Sequence, residues 1–141
     1  MRTMRRGIAL TLAGLLAGVT TAGAWRQSGG ARVSKREAHD LALSTLLPRA
    51  RSSPGIQFDT VLTEPPRGFY TFEIVADTPP GTSFNLGFFA VNERTGDVWD
   101  WSACIHLSSP EIVRVQRRLR RESGVSARAF RTLSNVAPCQ P

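Results

Sequence analysis

No nucleotide-binding loop, no paired metal-ligand spacing and no catalytic signature occurs in the chain, which sets aside the enzyme classes that announce themselves in sequence. Histidine and cysteine occur twice each, too few and too scattered for a zinc site built on regular ligand pairs. Asp97 and Asp100 stand three apart on a strand-like segment, so alternation points them to opposite faces and disfavours a carboxylate pair. A Cys104 and His106 dyad would leave Cys139 without a partner and has no third group to orient the imidazole. The expectation is a non-enzymatic protein with no cofactor and no metal. No apolar run reaches the roughly 20 residues of a spanning helix, and no cysteine precedes Cys104, which excludes a lipid-anchored amino-terminal cysteine.

What is present is an ordinary globular composition, 41% hydrophobic and 21% charged over 141 residues, enough for one domain. The net charge of +7 overstates the basicity of the working protein. Arg2, Arg5 and Arg6 precede an uncharged run from Gly7 to Ala24 that ends in Ala22-Gly23-Ala24, the pattern of a Sec-type signal peptide cut after Ala24. The competing reading, a membrane anchor, asks for a longer apolar stretch; Arg5-Arg6 alone is not a twin-arginine export signal. Removing residues 1–24 leaves 15 basic against 11 acidic groups, a net of +4, and with it goes much of the case for a nucleic-acid partner. The expected location is periplasmic or secreted, where two cysteines invite a disulfide. A Cys104–Cys139 bond would tie the carboxy-terminal tail to the sheet, and closing a separation of 35 residues is worth roughly 4 kcal/mol in the loop-entropy account.

Residues 25–33, with Ser28-Gly29-Gly30, read as a flexible lead-in to a single domain over 34–141. Ser34-Lys35-Arg36-Glu37 is a capping box, in which Glu37 reaches back to the Ser34 amide. Ala38, Leu41, Ala42 and Leu46 then recur at helical spacing until Pro48, and His39 falls on the helix surface without a role. Alternation predicts strands over Ile56 to Glu64, Phe69 to Ala76, Ser83 to Asn92 and Val98 to about Ile105. Ser109 as cap and Pro110 at the first helical position start a second helix, and Gly124 stops it. Phe130, Leu133 and Val136 belong to a short helix or docked coil that ends at Cys139. The predicted fold class is α+β: a four-stranded antiparallel meander with an N-terminal and a C-terminal helix packed on one face.

The stretch Phe88-Phe89-Ala90-Val91-Asn92-Glu93-Arg94-Thr95-Gly96-Asp97-Val98-Trp99, preceded by a helix and hairpin strands, resembles the PepSY and cystatin-like group of small extracytoplasmic domains. Asn92 stands where that group usually has Asp, and Cys104 and the basic carboxy-terminal helix are additions. The resemblance implies a binding or peptidase-modulating domain without a cofactor.

Two surface features are candidates for partner binding. Trp99 and Trp101 share a face of the fourth strand with Ala103 and Ile105; they either pack under a helix, with Asp100 facing water, or form an exposed platform for a peptide or glycan, and packing is the expectation. Phe88 and Phe89 are adjacent, so one of them faces away from the helices. Arg114, Arg117, Arg118 and Arg121 gather on one side of the second helix, opposite Ile112, Val115 and Leu119, where Glu111 and Glu122 partly neutralise them. The leading functional expectation is a domain that modulates or inhibits an envelope or secreted protein partner. The alternative is an envelope-associated domain that holds anionic lipid or cell-wall polymer through the Arg face.

Overall fold

The computed structural model describes residues 30–59, 64–77 and 81–139, so the expected signal peptide and its cleavage point lie outside the described residues. Among those described, no helix is long and apolar enough to cross a membrane. In chain order the elements are α1 (Lys35–Ser44), α2 (Pro48–Arg51), β1 (Ile56–Asp59), β2 (Phe69–Asp77), β3 (Ser83–Asn92), β4 (Val98–Asp100), β5 (Ile105–Leu107), α3 (Pro110–Ser123) and α4 (Ala127–Ser134). The strands form one antiparallel sheet in the order β1-β2-β3-β4-β5.

Local chemistry sets the helix ends. The Ser34 hydroxyl accepts from the Glu37 amide, the Ser109 hydroxyl from the Ile112 amide, and Gly124 stops α3 at φ 65°, a conformation that costs glycine nothing. The capping box closes only by half, because the Glu37 carboxylate turns to Arg118 on α3 at 2.6 Å. α1 does not run to Pro48 as expected but ends at Ser44, before Leu46, and Pro48 instead opens the four-residue α2. The last residues of the lead-in are docked: Val33 is buried and its amide donates to the Glu93 carbonyl at 2.8 Å.

One face of the sheet carries Tyr70, Phe72 and Ile74 of β2, Phe89 and Val91 of β3 and Val98 of β4. Val33 of the lead-in, Ala38, Leu41 and Ala42 of α1, Ile112 and Leu119 of α3 and Phe130 of α4 complete that core. Each large side chain sealed there, Phe72, Leu41 or Ile74, contributes about 1.5–3 kcal/mol by leaving water. Gly96, at φ 72°, sits so close to α3 that a Cβ there would lie 3.2 Å from Val115.

The sheet has five strands where four were expected. The expected fourth strand, Val98 to about Ile105, turns back on itself after Asp100, whose Oδ1 accepts from the Ala103 amide at 3.0 Å, and Cys104 takes φ 54° to complete the reversal. β5 is thus a separate strand paired with β4, and Ala103 and Ile105 do not continue the alternation of Trp99 and Trp101. A bulge in β3 opposite Ile74 and Val75 has a second effect. Gly87 adopts φ 147°, where a Cβ would meet the Phe89 ring at 2.8 Å. The extra residue lets Phe84 pair with Ala76 on the core side while Phe88 pairs with Glu73 on the other, although the two phenylalanines are four apart.

His39 is not a free surface residue. Its ring stacks on Phe58 at 4.1 Å and meets Phe72 edge-on at 4.3 Å, with Nε2 buried and unpartnered among the described residues. Burial, reinforced by the Lys35 charge and opposed by Asp40, lowers its pKa from the ordinary 6.5. The folded protein therefore holds this proton less tightly than the unfolded chain. His39 contributes full stability above pH 6.5, and that contribution drains as pH falls through 6.5 toward the lowered folded value. Urea midpoints measured across this window should fall more steeply for the wild type than for His39→Leu; parallel slopes would assign the acid loss to other groups.

Candidate functional site

Each sequence-derived candidate has a definite place. Cys104 and Cys139 form the disulfide, with Cα atoms 5.9 Å apart, and so tie the tail to the β4–β5 turn. On the way there Leu133 and Val136 share a cleft with Phe69, Asn92 and Arg94. Phe69 alternates with Phe72 and so belongs to the face turned away from α1 and α3; the tail therefore covers the end of that face, and the carboxy-terminal elements do not all lie on the α1 side.

Trp99 pairs with Ala90 on β3 and His106 on β5, and Ala90 pairs with Thr71 on β2. These four residues form one row on the face away from α1 and α3. The expectation that both indoles pack under a helix against the core is thus corrected for Trp99: its ring lies against His106, at 5.0 Å, on the opposite side of the sheet. Thr71 and Ala90 beneath are buried, and Trp99 itself is half-buried. Trp101 extends the ladder one step past Asp100, its amide donating to the Phe88 carbonyl at 2.9 Å. A second row on the same face follows from this register: Asp59, Glu73, Phe88 and Trp101, one residue from each of four neighbouring strand positions. Phe89, not Phe88, enters the core, and Phe88 and Trp101 stay half-buried. Glu73 is held in place by the Asn85 amide at 2.9 Å.

The four arginines share one side of α3 but not one environment. Arg118 lies between Glu37 at 2.6 Å and Glu122 at 3.2 Å, and Arg114 reaches Glu111 at 3.4 Å. Glu37, Asp40, Glu111, Arg114 and Arg118 line a groove of mixed charge between α1 and α3. The Glu111 carboxyl is held below its ordinary pKa, first by its own backbone amide and further by the Ser109 hydroxyl, Arg114 and Arg51, against the opposing effect of desolvation. Arg117 and Arg121 project into solvent with no ion pair among the described residues.

Behind these surfaces is a buried polar hub that the sequence reading missed. Asp97, 1% exposed, accepts from Gln116 of α3 at 2.7 Å, from His106 of β5 at 3.0 Å and from the Thr95 hydroxyl. The Asp97 oxygens only accept, so His106 presents its Nε2 hydrogen here. Asn92 closes the same loop with its side-chain oxygen, which accepts from the amides of Arg94 at 2.9 Å and Thr95 at 3.2 Å, as an Asp in that position would. The Thr95-Gly96-Asp97 pattern was the available signal, but it specifies a turn and not the elements that close over it.

No protein-family model matches the chain, and no curated protein does. Among solved structures, a chain of a type VI secretion system effector-immunity complex from Pseudomonas protegens is similar to it, with a TM-score of 0.57 at 24% identity. The two chains share a fold. The likeness covers 78% of this chain and 92% of that one, so it takes in nearly the whole of the other domain.

Proposed function

We propose that this protein is an exported, non-enzymatic domain that acts by occupying a protein partner, in the manner of an inhibitor or immunity protein. The observation that carries the reading is the near-complete overlap with a chain whose own structure is that of an effector-immunity complex. The Cys104–Cys139 bond suits an oxidising compartment outside the cytoplasm. The PepSY and cystatin-like resemblance of the Phe88 to Trp99 stretch belongs to the same proposal, since it too implies binding and modulation.

An envelope surface is the rival partner, and the geometry weakens it. Arg114 and Arg118 already face carboxylates, which leaves Arg117 and Arg121 as the freely projecting members of the stripe. The test sets the two partners side by side. Cross-linking of the secreted protein in its native envelope fraction should yield one stoichiometric protein complex that survives high salt, and mixing the two purified components should suppress the partner's activity. Sedimentation with anionic vesicles should be the same for wild type and for the Arg→Gln variant at 114, 117, 118 and 121. Vesicle binding that disappears in the variant, with no protein complex, would reject the proposal in favour of the envelope surface.

A further inference from the structure

Charge is segregated in this fold. No strand contains a Lys or Arg, although the chain carries 18 of them against 11 acidic residues; within the described residues every one lies on a helix or a connection. The strands hold Asp59, Glu73, Asp77 and Asp100 instead. Asp59, Glu73 and Asp77 lie on the face turned away from α1 and α3, whereas Asp100, opposite Phe89, lies on the helix side; the strands make the far face anionic on a cationic protein. Its second row sets the two carboxylates of Asp59 and Glu73 beside the two aromatic rings of Phe88 and Trp101, at the spacing of neighbouring strands, about 4.8 Å per step.

This is the arrangement that receives a cationic side chain. A guanidinium can lie flat on an aromatic ring while its N–H groups reach a carboxylate one strand away, and an ammonium can use the same pair less specifically. Asp59 is exposed, Phe88 and Trp101 are partly open, and the Asn85 amide keeps Glu73 extended along the face. The neighbouring Trp99 row differs, since Thr71 and Ala90 are sealed. The open half of the face is thus the half that carries the carboxylates.

We infer that this face docks an Arg- or Lys-bearing segment of a protein partner, with Phe88 and Trp101 as floor and Asp59 and Glu73 as counter-charge. The inference rests on the protein-partner reading and adds to it the surface and the chemistry of what it meets.

The probe is an acetylated, amidated pentapeptide Gly-Arg-Gly-Arg-Gly, with the citrulline peptide of the same length as its uncharged counterpart. Each is titrated into the oxidised, isotope-labelled protein while the indole N–H signals are followed. The arginine peptide should shift the Trp101 indole saturably, and the citrulline peptide should bind at least about tenfold more weakly. The Asp59→Asn/Glu73→Gln double variant, altered at surface positions that keep the fold, should lose about tenfold, whereas Arg117→Gln/Arg121→Gln should change nothing. No saturable shift, equal binding of the citrulline peptide, or shifts confined to the groove of Glu37, Asp40 and Glu111 would each overturn the inference. So would concentration-dependent self-association abolished by Arg117→Gln/Arg121→Gln, which would give the face to a second copy of the chain. The titration needs no partner. Silence here beside a stable protein complex rejects this surface and leaves the functional reading, while vesicle binding without a complex rejects the reading and leaves the titration to speak for the face.

Discussion

The Cys104→Ser/Cys139→Ser variant should unfold roughly 10–25 °C below the oxidised wild type, from a loss of about 3–4 kcal/mol. The separation of 35 residues sets the entropic part of that figure, since the bond removes from the unfolded chain the freedom of a loop that spans α3 and α4. It is a large share of the 5–15 kcal/mol by which domains of this kind are held together. The loss should also be localised. Leu133 and Val136 share a cleft with Phe69 on a tail whose far end is tied down at Cys139, so amide protection in α4 should fall before protection in β2 and β3. Thermal unfolding by circular dichroism with hydrogen exchange measures both effects. A midpoint within about 2 °C of the wild type would mean that the tail holds its place without the bond.

Asp97→Ala should be the most damaging single polar substitution, at about 3 kcal/mol. Its carboxylate accepts three hydrogen bonds that come from three elements: the β3–β4 loop through Thr95, β5 through His106 and α3 through Gln116. Truncation leaves the Thr95 hydroxyl without its partner in a buried loop, where a missing partner costs more than the bond itself contributed, and frees the Gln116 amide and the more exposed His106 from the junction. Asp97→Asn is the informative companion. It keeps one acceptor oxygen for Gln116 and His106, and its amide can donate to the Thr95 hydroxyl, so the expected loss is about 1 kcal/mol. Equal stability of the wild type and Asp97→Ala, by urea unfolding at neutral pH, would show that the hub does not brace the fold.

Much of the scaffold was legible because its signals are local. The Ser34 and Ser109 caps, Pro110 and the Gly124 stop each act within a turn of their own position, and the strands over Phe69 to Ala76 and Ser83 to Asn92 alternate or run apolar as buried strands do. The Cys104–Cys139 pairing needed only an even count. The fifth strand was hidden for the opposite reason: Val98 to Ile105 keeps a passable alternation, and only the Asp100 cap and the left-handed backbone at Cys104 break it.

The sequence by itself determined the α+β class, the starts of α1 and α3, the Gly124 stop and the cysteine pair, because periodicity and capping are properties of adjacent residues. Tertiary structure alone decided which way the aromatic residues face. A single extra residue, Leu86 next to Gly87, reverses the phase of β3, places Phe88 beside Glu73 and sends Phe89 into the core, and no window on one strand contains its neighbour's register. It likewise decided that Glu37 leaves its capping box for Arg118, that His39 is enclosed by Phe58 and Phe72, and that Asp97 is a buried junction. Each of these depends on a group 14 or more residues away or on a second element closing over the first, and such pairings become energetically distinguishable only after the chain has collapsed and water has left.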